Sequence, residues 1–299
     1  MRIAFVVNNY PPRVGGLENH VAALARHLVE QGHETFVHTL SDEPGSAVES
    51  GVRVRRWPEA FQIGGLLGFP TLAAARGIAT ALQEERPDLI SVHTRFFPLS
   101  WLGVALGRRL RIPTLHTEHG SDYVATPSPL IAWGSRFVDW TLGRWTLRSA
   151  NRVLGVSEEV VAFVRRLAGV EADVFYNAID PPTGIAASPR RHAVFVGRIV
   201  PGKGWEDFLE ALGDQPAEVT GEVLGAGSDL EDLRRRGAAL GRGSGLMVRG
   251  RVPLSEVYQA LEGAVLVNPT RLSEGFQTTL LEALAMGARV VTYPVPGVA

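Results

Sequence analysis

The sequence has no cysteine. Disulfide staples, thiolate nucleophiles and Cys-based zinc sites are therefore excluded. Lysine is almost as scarce: of 30 basic residues, only Lys203 is not arginine. A GC-rich genome would produce that bias, yet it leaves one ammonium whose position needs a reason. No Asp-x-Asp pair occurs. No stretch approaches 18 uninterrupted apolar residues, and the opening "MRIAFVVNNY" is too short for a signal peptide. A cytoplasmic protein is expected. Net charge is −1, which gives no general pull toward nucleic acid or membrane, and the basic residues are scattered. What is present is ordinary. The 299 residues are 45% hydrophobic and 20% charged, enough for two soluble globular domains with ample cores.

Short apolar runs at 3–8, 34–40, 52–57, 88–94, 113–119, 152–157 and 174–179 read as strands, with helical patterns at 17–31, 71–85 and 129–148 between them. That alternation predicts a mostly parallel sheet covered on both faces. Residues 181–191, "PPTGIAASPRR", lack periodicity and read as a linker. The pattern then restarts, with strands at 193–198, 217–225, 246–250, 264–270 and 289–295 and helices near 203–212, 228–240, 254–262 and 277–286. The fold class is α/β: two Rossmann-like domains, 1–183 and 184–299, facing across a cleft, with ligands at the carboxyl ends of the strands. The last predicted strand has no helix after it, so the second domain is expected to be truncated at its C-terminus.

Lys203 ends "GRIVPGK" (197–203), which has P-loop spacing after a strand. The next residue should be Ser or Thr to ligate Mg²⁺, and it is Gly204. What remains is Arg198 leaving a strand end, a Pro-Gly turn, and Lys203 at a helix N-terminus. Two cations and free N–H groups suit a phosphate; the bland reading is a lysine capping a surface turn. A second segment is "SEGFQTTLLEALAMGARVV" (273–291). Leu280, Leu281, Leu284 and Ala285 fall at helical spacing and are expected to face the core. Thr278 and Thr279 lie in the first turn, where unsatisfied N–H groups favour an anion. Glu274 precedes the helix and Glu282 lies inside it. A hydrolase pair is disfavoured, because eight helical residues span about 12 Å and a retaining pair needs about 5 Å. Two separated carboxylates suit a ligand with a sugar at each end of a phosphate link; the bland readings are a solvated helix face and a helix N-terminal charge.

Two segments of the first half stand at strand ends. In "VVNNYPPRVGGLENHV" (6–21), Gly15 and Gly16 let backbone approach a ligand at a helix start, or simply make the turn. In "HTEHGSD" (116–122), His116, Glu118, His119 and Asp122 could suggest a metal. Neighbours on a strand point to opposite faces, so a hydrogen-bonding His119 is favoured over metal ligation.

Together these segments resemble the retaining family 4 glycosyltransferases of GT-B fold. The resemblance rests on "PPRVGGLENHV", "HTEHGSD", "VLGVSEEV", "FVGRIVPGKG", "VLGAGSD" and "EGFQTTLLEALAMG", in that order, with Glu274-x7-Glu282 the most specific part. It implies a UDP- or GDP-sugar donor and transfer of a hexose-type sugar with retention, without metal or cofactor. Arg198 and Lys203 would grip the pyrophosphate, and Glu274 would bind donor-sugar hydroxyls with backbone at Gly275 and Phe276. Glu282 would bind the ribose, Thr278 and Thr279 phosphate, and Gly225 and Gly227 the base and ribose. Gly15 and Gly16 would approach the phosphates, and His119 would stand near the reacting carbon. No protein nucleophile is implied: attack comes from the face the nucleotide leaves, assisted by the departing phosphate.

The acceptor, a glycan or a lipid-linked molecule, is expected on the first domain around 9–16, 61–69, 93–97 and 119–126, with His93 and Asp122 as candidates. For "LIAWGSRFVDWTLGRWTLR" (130–148) two readings stay open: a peripheral contact with the inner face of a bacterial membrane, or helices packed in the domain core. Three features depart from the family pattern. Asn177-Ala178 replaces Asn-Gly, Gln277 stands where Gly or Pro is commoner, and the family normally continues with a last helix returning to the first domain. The competing functions are a GT-B nucleotide-sugar 2-epimerase and a truncated chain that binds nucleotide without turnover.

Overall fold

The computed structural model describes residues 1–13, 15–63, 67–124, 128–180, 188–241, 245–295 and 297. They form two compact units, Met1–Asn177 and Ala178–Ala299. The expected boundary at 183/184 and most of the expected linker lie outside the described residues.

The first unit runs β1 (Arg2–Val6), α1 (Gly16–Glu30), β2 (Glu34–Ser41), β3 (Gly45–Glu49), β4 (Val52–Ile63), β5 (Leu67–Pro70), α2 (Leu72–Glu85), β6 (Leu89–His93), α3 (Pro98–Leu110) and β7 (Thr114–Glu118). It continues with α4 (Pro129–Val138), a π-helical turn (Asp139–Gly143), α5 (Arg144–Ser149), β8 (Arg152–Gly155), α6 (Glu158–Ala168) and β9 (Asp173–Val174). The sheet order is β3-β4-β2-β1-β6-β7-β8-β9, with β5 also on β4. Pairings from β4 through β9 are parallel; β3 and β5 run antiparallel to β4. The continuous apolar run of β1 is explained by burial on both faces. Ala4 and Val6 pack with Ile78, Leu82 and Leu99 of α2 and α3, while Ile3 and Phe5 pack with Val21 and Ala25 of α1.

The second unit is shorter and regular: β10 (His192–Val196), α7 (Trp205–Gly213), β11 (Thr220–Leu224), α8 (Leu230–Ala239), β12 (Leu246–Gly250), α9 (Leu254–Leu261), β13 (Val265–Asn268), α10 (Thr278–Ala285) and β14 (Arg289–Thr292). The order is β12-β11-β10-β13-β14, all parallel. Trp205, Phe208, Leu209 and Leu233 cover one face; Val257, Leu261, Leu280 and Ala283 cover the other. In both units the chain changes direction across the sheet beside its first strand, between β1 and β6 and between β10 and β13. Loops at the carboxyl ends of those strands are where ligands of such sheets bind.

Four elements differ from the sequence reading. β3 and β5 were not expected, because "GSAVE" and "LGFP" carry glycine and proline; both lie on the margin of the sheet, where such residues are tolerated. The run at 174–179 forms only the two-residue β9, with Val174, Phe175 and Tyr176 exposed. In α10, Leu280 and Ala283 are the buried residues and Leu284 is 60% exposed, so the expectation that Leu284 faces the core is corrected.

Candidate functional site

In the second unit, the loops after β10 and β11 are zipped together by backbone. The Gly197 amide donates to Leu224 O (3.0 Å), Ile199 to Ala226 O (3.0 Å) and Asp229 to Ile199 O (3.1 Å). A Cβ on Gly225 would lie 1.8 Å from Gly197 O, and one on Gly227 2.0 Å from Ile199 O. These glycines are thus demanded first by the approach of two protein loops. Gly204, at φ +81°, lets the lysine loop touch the end of β13, where a Cβ would lie 2.0 Å from Pro269 O. The Arg271 amide donates to Gly202 O (2.8 Å), and Trp205 Nε1 donates to Asp229 Oδ2 (3.2 Å). Three loops are locked into one rigid rim.

Lys203 and Glu274 meet on that rim. Lys203 Nζ donates to Glu274 Oε1, and both side chains are mostly buried, at 13% and 26% exposure. Seventy-one residues apart in sequence, the expected phosphate ligand and the expected sugar ligand lie side by side. Arg198, in the same loop between β10 and α7 as Lys203, is exposed and has no hydrogen-bond or ion-pair partner among the described residues. α10 begins just beyond, at Thr278, with no side-chain cap from Gln277, whose Oε1 accepts instead from Asn268 Nδ2. Its first-turn N–H groups are therefore uncapped by side chains, the condition that attracts an anion. Thr278 and Glu282 stand at i and i+4 and share a face, with Thr279 on its flank toward buried Ala283. Burial pushes the Glu282 carboxyl up, and among the described residues no side chain hydrogen-bonds it. Gly275 and Phe276 lie in the loop between Glu274 and α10.

In the first unit, His119 follows β7 and belongs to a line of imidazoles. His93, at the end of β6, contacts His119 through Nδ1···Nε2 at 3.1 Å and Ser91 Oγ through Nε2 at 3.2 Å. One ring nitrogen donates and the next accepts, so the Ser91 contact and the His119 tautomer are linked. His20 of α1 packs its ring 5.3 Å from His119 and 5.8 Å from His93, and its Nε2 is buried without a hydrogen-bond partner among the described residues. His93 is 1% exposed; this places it behind His119 rather than on an acceptor surface. Asp122 is exposed and receives the Tyr123 amide (2.8 Å). Val14, 64–66 and 125–126 of the expected acceptor stretches lie outside the described residues.

Glu118 fixes this loop. Its fully buried carboxylate accepts from the Arg95 amide (2.9 Å), Arg95 Nη1 (3.0 Å), the His119 amide (3.1 Å) and the Gly120 amide (2.9 Å). Arg95 also donates to Asp139 from Nε (2.8 Å) and Nη2 (3.2 Å), and lies 4.5 Å over the Phe163 ring. Burial alone would push the Glu118 carboxyl up; Arg95, His116 and the Gly120 amide outweigh it and hold it well below the usual range. Arg95, Asp139 and His20 escaped sequence reasoning, since no motif joins them. The available signal was the adjacency of β6 and β7, with a charge at each strand end.

At the start of α1, a Cβ on Gly15 would meet Glu18 Oε2 at 2.2 Å, whereas one on Gly16 would meet nothing within 4 Å. Glu18 is buried and burial pushes its carboxyl up. Its own carboxyl group occupies the place at this helix start where Gly15 was expected to admit a ligand phosphate; Gly16 stays open.

The three imidazoles are held neutral. Burial lowers His20 to about 4 and His119 to about 3, with His20 adding to the shift at His119; burial, then its neighbouring imidazoles, pulls His93 well below 6.5. The sign follows directly. Unfolded imidazoles take up protons near pH 6.5 while the folded ones do not, so their contribution is intact above that pH and is lost on acidification. The thermal midpoint is expected to fall between pH 7 and pH 5, and less so in His20→Leu. Equal melting of wild type at both pH values would contradict the neutral cluster.

Comparison with known proteins decides what these loops belong to. Residues 14–182 match the profile of Glycosyltransferase Family 4, and residues 190–299 match that of Glycosyl transferases group 1. The chain belongs to glycosyltransferase family 4. Among curated relatives, an uncharacterized glycosyltransferase of Methanocaldococcus jannaschii is 25% identical over 96% of this chain and 79% of its own length. The alpha-monoglucosyldiacylglycerol synthase of Streptococcus pneumoniae is 26% identical over 99% of this chain and 72% of its own. Among solved structures, Anabaena HepE in complex with UDP and glucose has a TM-score of 0.75 at 18% identity, covering 99% of this chain and 82% of its own. The fold is that of the GT-B glycosyltransferases, with two Rossmann-like units, and the protein is a glycosyltransferase of this type.

Proposed function

We propose that this glycosyltransferase moves a hexose-type sugar from a UDP- or GDP-sugar to a glycan or lipid-linked acceptor, with retention and without a metal, at the inner face of a membrane. The observation that carries the reading is the meeting of Lys203 with Glu274, with Arg198 in the lysine's own loop and α10 starting shortly after Glu274 in the chain. HepE, one of the structural neighbours, was solved with UDP and glucose, and the pneumococcal relative is named for a glucosylated diacylglycerol. Among the described residues, no helix is long and apolar enough to cross a membrane.

A nucleoside diphosphate gains negative charge as it leaves. Lys203, Arg198 and the first-turn N–H groups of α10 stabilise that charge most in the transition state, which is the kind of binding that raises rate. Glu274 exchanges Lys203 for hydroxyls of the donor sugar when the phosphate takes the ammonium. Glu282, with no side-chain hydrogen bond among the described residues and its proton affinity raised by burial, receives ribose hydroxyls, and Thr278 and Thr279 add hydroxyl donors to phosphate. His119 acts as a neutral hydrogen-bonding group; its depressed proton affinity makes it a poor cationic acid. The departing phosphate takes the acceptor proton, so no protein nucleophile is needed.

Glu274→Ala should leave UDP affinity within a few-fold of wild type and lower transfer about a hundredfold, since it removes a sugar contact and frees the lysine. A parallel loss of UDP binding, read by calorimetry, would place Glu274 on the nucleotide instead.

The identifying experiment is a panel of UDP- and GDP-sugars, with and without acceptor and EDTA, read by product analysis. Transfer or slow hydrolysis of one donor, unchanged by EDTA, is expected. Isomerised nucleotide sugar without acceptor would mean a 2-epimerase, and binding without turnover a non-catalytic chain. EDTA loss restored by Zn²⁺ would overturn metal independence and point to His20, His93 and His119, whose ring nitrogens lie within 4.8 Å of one another.

A further inference from the structure

The helical segment from α4 to α5 is inside out. Its inward face carries Ser135, Asp139, Gly143 and Thr146, all buried. Its outward face carries Leu130, Trp133, Phe137 and Trp140, which are 78%, 68%, 57% and 60% exposed. Those four recur at i, i+3, i+7 and i+10, the spacing of one helical stripe. Trp133 and Phe137 stack on each other with centroids 6.0 Å apart, and Ile131 and Trp145 widen the patch. Water is a poor partner for such a surface, and contiguous exposed apolar patches of this kind mark interaction sites.

The charges choose the partner. From Ser128 to Ser149 the only acidic residue is Asp139, fully buried and ion-paired with Arg95. Arg136 and Arg148 are exposed on the same segment. Trp140 Nε1 donates to Tyr123 Oη (3.1 Å), and Arg136 lies 5.4 Å over the Tyr123 ring. Residues 128–149 are therefore aromatic and cationic on the outside with no exposed carboxylate of their own, and exposed Asp122, beside Tyr123 in sequence, is bonded by the Tyr123 amide. A second copy docked through the same face would bring in a second set of arginines and no exposed carboxylate of this segment to meet them. A lipid headgroup layer answers both features: indole and phenol rings sit at its apolar–polar boundary, and anionic headgroups take the guanidinium groups.

We propose that the α4–α5 face docks on the surface of an anionic lipid bilayer, lying in the headgroup plane without spanning it. This deepens the reading of a membrane-borne acceptor given above and rests on it for its purpose, though the docking itself needs no turnover. The stripe would hold the first unit against the layer in which a lipid-linked acceptor resides.

The test is flotation of the full chain with phosphatidylcholine vesicles, with and without phosphatidylglycerol, beside UDP calorimetry, thermal melting and sizing. Wild type should float with phosphatidylglycerol vesicles, less so at high salt, with tryptophan emission shifted to the blue. Trp133→Ser combined with Phe137→Ser should weaken vesicle binding about a hundredfold, roughly tenfold for each aromatic removed. UDP affinity and melting should be unchanged. The proposal fails if wild type does not float, or if the double variant floats equally well. It fails too if wild type is a dimer that the substitutions make monomeric without vesicle binding, which would give the face to a second copy. Loss of UDP binding in wild type would count against the donor site and leave the flotation result standing.

Discussion

Lys203→Ala is expected to lower sugar transfer by about a hundred- to thousandfold with the fold intact. The lysine is where charge develops, and its removal leaves Arg198 and the α10 amides to carry the departing diphosphate. The partner it abandons, Glu274, retains 26% exposure and reaches water, so thermal melting should move little. Lys203→Arg should recover only part of the activity. A guanidinium prefers a fixed planar fork, whereas an ammonium on a flexible stem follows a phosphate as it moves away. Single-turnover rates of the three proteins at saturating donor decide the matter; near-normal rates for the alanine variant would sink the assignment.

The largest loss of stability is expected at Glu118. Breaking a buried pair by deleting one member typically costs about 3–5 kcal/mol, a large part of the stability of an ordinary domain. Glu118→Ala leaves Arg95, 4% exposed, with Asp139 as its one carboxylate and frees the His119 and Gly120 amides. Glu118→Gln keeps one acceptor and should fall between. Urea unfolding midpoints of the first unit's fluorescence would show the order, and an alanine variant as stable as wild type would mean that the network holds nothing. Because Glu118 fixes the loop that presents His119, the glutamine variant should also lose transfer out of proportion to its stability.

The sequence was most informative where chemistry and spacing coincide. The parallel strands were legible because runs such as Ile3–Val6 are buried on both faces, which forces continuous apolar composition. Lys203, Glu274 and Glu282 were legible because their residue types are rare or paired in a fixed frame. The edge strands β3 and β5 were not, since an edge tolerates the glycine and proline that hide a strand signal. Arg95 and Asp139 were invisible for a different reason: 44 residues separate them, and only the packing of β6, β7 and the π-helical turn brings them to 2.8 Å. The α4–α5 segment shows the limit of periodicity. Trp133, Phe137 and Trp140 give a clear stripe, but a stripe does not say whether protein or solvent lies against it. The buried Asp139 on the opposite face settles that. Gly225 and Gly227 carry a similar lesson, since close backbone approach between two loops accounts for them before any ligand does.

The most direct measurement is the calorimetric affinity of UDP against UMP, and of GDP against GMP, for wild type and Lys203→Ala. Wild type should bind one diphosphate at least tenfold more tightly than its monophosphate, because the extra phosphate meets Lys203 and Arg198. In Lys203→Ala that preference should shrink severalfold, Arg198 keeping the remainder, while monophosphate affinity stays the same. A preference that survives intact in the variant, or a wild type that does not distinguish diphosphate from monophosphate, would remove Lys203 from the pyrophosphate and with it the clamp on which the reaction is built.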